Sequence, residues 1–143
     1  MSRVINPDGS GKERTRLSKS AALAIRELAS LRETGVESRD LAAFLVLALE
    51  RIGATVEESV IAWEKRGYWV KADRFRMEWA WAAQTSGKLR TALLADDWSA
   101  AATVAAQIAI RLQKITISPN HRLGRPWVGA WAELKKQQAS ARK

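Results

Sequence analysis

The chain of 143 residues has no cysteine, one histidine and three prolines. Without cysteine there is no disulfide framework, no thiolate metal site and no cysteine nucleophile. The single histidine, His121, cannot supply the paired Glu-x-x-His ligands of a di-iron bundle. It also has no nucleophile motif beside it from which a Ser-His-Asp triad could be built. Only Pro119 and Pro126 follow residue 7, so little interrupts helices in the stretch between. The longest apolar run, Leu41 to Leu49, is far shorter than the roughly 20 residues that span a bilayer. Met1 to Arg16 lack the apolar centre of a secretion signal, so a cytoplasmic protein with no membrane span is expected.

Strand-like alternation and internal repeats are missing as well, while apolar residues recur at helical spacing through most of the chain. Hydrophobic residues make up 47% and charged residues 27%, an ordinary globular balance. These features predict an all-α fold, a single compact helical bundle of five to six helices covering residues 1–143. Its parts are a flexible arm (1–9), a helical core (10–116), a loop (117–125), a C-terminal helix (126–138) and a basic tail (139–143).

Within the core, Ser10 and Glu13 have capping-box spacing. Leu17, Ala21, Ile25, Leu28 and Leu31 follow on one face until Thr34-Gly35 ends the first helix. Ser38 is the expected cap of a second helix running to about Ile52. Its centre, residues 41–49, is apolar on every side and belongs in the middle of the packing. Thr55 and Glu58 form a second capping-box pattern. It opens a third helix carried through Gly67 to about Ala83, with Gly67 marking the place for a bend or break. Thr85-Ser86-Gly87 closes that helix, and a short helical piece spans Leu89 to Ala95. Asp96-Asp97 then cap a helix from Trp98 to about Ile115. Pro126 suits the first turn of the last one.

Read as one helix, residues 55–83 carry two apolar faces. Ile61, Tyr68, Ala72, Phe75 and Trp79 fall on one side, and Trp63, Val70, Met77 and Trp81 on nearly the opposite side. The second face is expected either under the last helix, through Trp127 and Trp131, or at a homodimer seam or protein partner.

The charge is unusual. Twenty-four Lys and Arg against 15 Asp and Glu leave +9, a balance that speaks of association with polyanions and not of fold. Excess cations sit in residues 1–20, 61–90 and 111–143. Lys12, Arg14, Arg16 and Lys19 occupy the first turns of the first helix, where the dipole makes cations unfavourable and a phosphate would relieve them. Arg122 and Arg125 lie in a loop that ends at Trp127. Arg66, Lys71, Arg74 and Arg76 interleave with Trp63, Tyr68, Trp69 and Phe75, as on surfaces for single-stranded nucleic acid, but point in different directions. Trp69 lies off both apolar faces and is the stacking candidate. The plain alternative for these segments is a solvated helix start and a linker.

Catalytic patterns fail on inspection. Gly9-Ser10-Gly11-Lys12 is similar to the end of a phosphate-binding loop. However, Asn6 stands where the first Gly belongs, Glu13 follows the Lys, and no strand leads in. Glu57-Glu58 and Asp96-Asp97 are explained as anions at helix starts. No catalytic residue, metal or cofactor is expected. The expected function is a non-enzymatic nucleic-acid-binding protein without sequence-specific readout, or a small subunit of a nucleoprotein assembly. Its contacts would be Lys12, Arg14, Arg16, Lys19, Trp69, Arg122 and Arg125. The alternative is a helical adaptor or oligomerisation module acting through Trp63, Val70, Met77 and Trp81.

Overall fold

The computed structural model describes residues 7–141, and these form five helices with no strand among them: α1 (Pro7–Ser30), α2 (Val36–Lys65), α3 (Trp69–Leu94), α4 (Trp98–Leu112) and α5 (Ala130–Ala141). Residues 1–6 of the expected arm and residues 142–143 of the expected tail lie outside the described residues. The bundle of five helices is the expected all-α architecture, but several boundaries move, each for a local reason.

α1 begins at Pro7, three residues before the expected cap. Proline has its φ preset for a first turn and no N–H to leave unpaired there. Ser10 and Glu13 are therefore free for another helix. Ser10 Oγ donates to Glu58 Oε2 at 2.6 Å, and Glu13 accepts from Arg51 at 2.7 Å. At the start of α2, Ser38 Oγ reaches back to accept the Gly35 N–H at 2.6 Å, so the helix opens at Val36 and not after Ser38.

The largest revision concerns two glycines. α2 runs unbroken through Gly53 and Thr55, where a new helix was expected. Thr55 is fully buried, and its hydroxyl donates to the Ile52 carbonyl at 2.6 Å. This back-bonding satisfies the hydroxyl inside a continuous helix. The true break is Gly67, whose φ of +80° is the left-handed conformation of a helix terminator. The Tyr68 N–H donates to the Trp63 carbonyl at 2.9 Å and the Gly67 N–H to the Glu64 carbonyl at 3.0 Å, the paired bonds of a Schellman ending. α3 then passes through Thr85-Ser86-Gly87 without stopping, because Thr85 and Ser86 bond back to the Trp81 and Ala83 carbonyls. Asp96, at φ +55°, ends α3, and Asp97 caps α4 as expected by accepting the Ala100 N–H at 3.0 Å. Pro126 to Gly129 make turns, so α5 starts only at Ala130.

Short connections make α1 to α4 successive antiparallel neighbours. α2 is the central element and packs against α1, α3 and α5, while α4 packs against α3 and α1. Leu41, Leu45, Leu49 and Ile52 of α2 are fully buried, together with Leu89, Ile108 and Leu134 from three other helices. Each such side chain contributes about 1.5–3 kcal/mol through burial.

α5 is held at its start by Asp40, which accepts the Gly129 and Trp131 N–H groups at 3.1 and 3.0 Å. Further along, Gln138 meets Arg90, itself paired with Glu50, so α5 follows α2 in the same direction. The last helix therefore covers α2 and not the Trp63/Val70/Met77/Trp81 stripe. That stripe is itself divided, since Trp63 belongs to α2 and the other three to α3.

Candidate nucleic-acid interface

The spacing of Lys12, Arg16 and Lys19 at i, i+4 and i+7 sets them on one face of α1. That face turns outward, and all three side chains are exposed. After α4 the chain returns along α1. Arg26 donates to the Ile115 carbonyl at 2.6 Å, and Ile115 and Ile117 pack against the core. This path carries Arg122 and Leu123 to the side of Gly11, Lys12, Thr15, Arg16 and Lys19. Between them is an open groove of about 850 Å³. Among the described side chains its lining contains five basic residues, Arg14 included, and no carboxylate. Among the side chains that the structure describes, those of residues 9–141, Lys12, Arg16, Lys19 and Arg122 form no ion pair.

Not every expected contact joins them. Arg14 touches the groove but turns inward, with its guanidinium 4.6 Å from the Phe75 ring centroid and 5.9 Å from that of Trp79. It also donates to Thr55 and Ser59 of α2 at 3.4 and 3.3 Å. Burial pulls its pKa below the usual arginine value without discharging it near neutral pH. Arg125 pairs with Glu37 at 3.0 Å and lies over Trp127, away from the groove lining. Trp69 is 61% exposed. Helical spacing sets it on the flank of α3 that carries Arg76, which reaches back to Glu57 of α2. It is not brought to the groove.

The aromatic residues of α2 and α3 form a row across the same end of the bundle. Trp63 meets Phe75 edge-on at 4.8 Å, Phe75 lies 6.4 Å from Trp79, and Trp79 stacks on Trp81 at 6.1 Å. Lys71 sits over Trp63 at 4.5 Å and Arg111 over Trp81 at 5.8 Å. Val70 and Met77, at 66% and 77% exposed, project from α3. Sequence reasoning named Lys71 beside the rings but missed Arg26 and Arg111, because nothing local distinguishes a cation that anchors a loop or covers a distant ring from one in water.

A second, apolar pocket of about 380 Å³ lies at the opposite end, between the last turns of α1 and the alanine-rich face of α4. Its ionisable lining groups are one of each sign, Arg32 and Glu33. Among the described residues no three His, Asp or Glu side chains gather as a metal site. Comparison of the chain with family models, curated proteins and solved structures finds no match, so the reading of the groove rests on its own chemistry.

Proposed function

We propose that the protein binds nucleic acid through the phosphate backbone, without sequence-specific readout and without catalysis, as a small subunit of a nucleoprotein assembly would. The observation that carries this reading is the groove itself. Lys12, Arg16 and Lys19 from one end of the chain line it with Arg122 from the other, and no carboxylate among the described side chains shares the lining. Cations about 5–6 Å apart along a helix face match a string of phosphates better than a single small anion. Arg16 and Arg122 add planar donors suited to phosphate oxygens.

Anisotropy titration of a labelled oligonucleotide across 50–200 mM salt tests it. Four neutralised phosphates give a log–log slope of about −3 for single strands and about −3.5 for duplex. Lys12→Glu, Arg16→Glu and Lys19→Glu together should abolish retention while the helical circular dichroism stays intact. Absence of binding by the unaltered protein at the lowest salt sinks the proposal.

The exposure of Val70 and Met77 favours a second reading, an adaptor or oligomerisation surface on α3. Light scattering separates the two. A stable dimer that dissociates with Met77→Glu, together with no oligonucleotide retention, would replace the first reading with the second.

A further inference from the structure

The first four helices of the bundle are unequal, with α1, α2 and α3 having 24, 30 and 26 residues and α4 only 15. At 1.5 Å per residue α4 is about 22 Å long, against roughly 36–45 Å for its neighbours. Its end is level with Trp81, over which Arg111 lies. Beyond that point the N-terminal halves of α1 and α3 and the C-terminal half of α2 have no fourth helix between them among the described residues.

Among the described residues no apolar plug fills the vacated position. Arg14 lies on its floor, bonded to Thr55 and Ser59 and stacked on Phe75 and Trp79. The rings of Trp63, Phe75, Trp79 and Trp81 are all half-buried there. Beside Trp63 is a depression of about 480 Å³ whose lining includes Lys71 and Arg74, with Glu78 as its one carboxylate. Arg14 also lines the basic groove, so the row of rings and the row of phosphate-binding cations meet at one residue.

We infer that this open end is a stacking slot for unpaired bases, and that the nucleic acid held by the groove is single-stranded. The inference rests on the proposed phosphate binding and adds to it the class of strand. Lys12, Arg16, Lys19 and Arg122 hold the backbone, and the bases turn over Arg14 towards the half-buried rings. A duplex cannot use such a slot, because its bases are already stacked on each other. Rings interleaved with cations are the arrangement that takes single strands of any sequence.

Three labelled ligands of equal length test the slot by anisotropy at low salt: a mixed-sequence DNA strand, an abasic strand with the same phosphates, and a duplex. The base-bearing strand should bind at least about tenfold tighter than the abasic strand, the gain from one or more stacked bases. It should also bind tighter than the duplex. Equal affinity for abasic and base-bearing strands, or preference for duplex, overturns the slot and leaves the phosphate reading standing. No binding of any ligand overturns both.

Ultraviolet cross-linking of the bound strand, mapped by mass spectrometry, supplies a readout that needs no variant. Adducts on Trp63, Phe75, Trp79 or Trp81 are expected. Adducts confined to Trp69 or α5 place the bases elsewhere and refute the slot.

Discussion

Arg14 and Arg16 are two residues apart on α1, which turns their side chains about 200° from each other. Arg16 faces the open groove, and Arg14 faces Phe75 and Trp79. A guanidinium over two rings and beside two hydroxyls is withdrawn from water, where a cation–π contact is worth up to about 2 kcal/mol. Arg14→Met keeps the stem and loses the charge. It should lower stability by about 1–2 kcal/mol in urea unfolding and leave the salt slope of oligonucleotide binding unchanged. Arg16→Met should do the reverse, changing stability by under about 0.5 kcal/mol and reducing the slope by roughly one. If the two variants behave alike, the division of labour between these arginines is wrong.

At the scale of the helix, the chain breaks at Gly67, where the sequence left room for a break, and runs on through Gly53, beside the expected end of the second helix at about Ile52. Gly53 lies inside α2, and a Cβ built there meets nothing within 4 Å. Gly53→Ala should therefore stabilise the protein by about 0.5–1 kcal/mol, the helix-interior cost of glycine. Gly67 has equal space but a φ of +80°, so the same substitution there should destabilise by about 1–2 kcal/mol. Thermal unfolding of the two variants checks both signs. A loss at Gly53 or a gain at Gly67 would contradict the helix boundaries.

Across the whole molecule, α2 works as an acidic spine. Its Glu37, Glu50 and Glu57 take Arg125, Arg90 and Arg76 from neighbouring segments, at 3.0, 2.7 and 3.1 Å. These three cations are thereby neutralised, whereas Lys12, Arg16 and Lys19 face the open groove. The pairing also runs the other way, as Arg51 of α2 holds Glu13 of α1 at 2.7 Å. The hydrogen bond from Arg51 pulls the Glu13 carboxyl below the ordinary glutamate range, against a smaller opposing effect of burial. A carboxyl lowered by folding stabilises the fold above its unfolded pKa of about 4.3 and loses that contribution as pH falls through the folded value. Both side chains are well exposed, so solvent screening limits the pair to about 1 kcal/mol or less. Glu13→Gln should accordingly be less stable than the unaltered protein at pH 7, and the gap in urea midpoints should close by pH 2–3. A gap that persists in acid would mean that Glu13 acts through something other than its charge.

Much of this was legible in the order of the residues. Helical periodicity, scarce proline and the all-round apolar segment 41–49 are local properties, and they were enough for an all-α bundle with α2 at its centre. The face formed by Lys12, Arg16 and Lys19 was equally readable, since i, i+4, i+7 spacing needs no partner. Helix boundaries were less so. Thr55, Thr85 and Ser86 have the chemistry of caps and breaks, and only burial against other helices shows their hydroxyls bonded back into continuous ones. The meeting of Arg122 with α1, the inward turn of Arg14 and the open end above α4 depend on contacts between segments far apart in the chain. Such contacts arise from the relative lengths and packing of whole helices, and no stretch of neighbouring residues encodes them by itself.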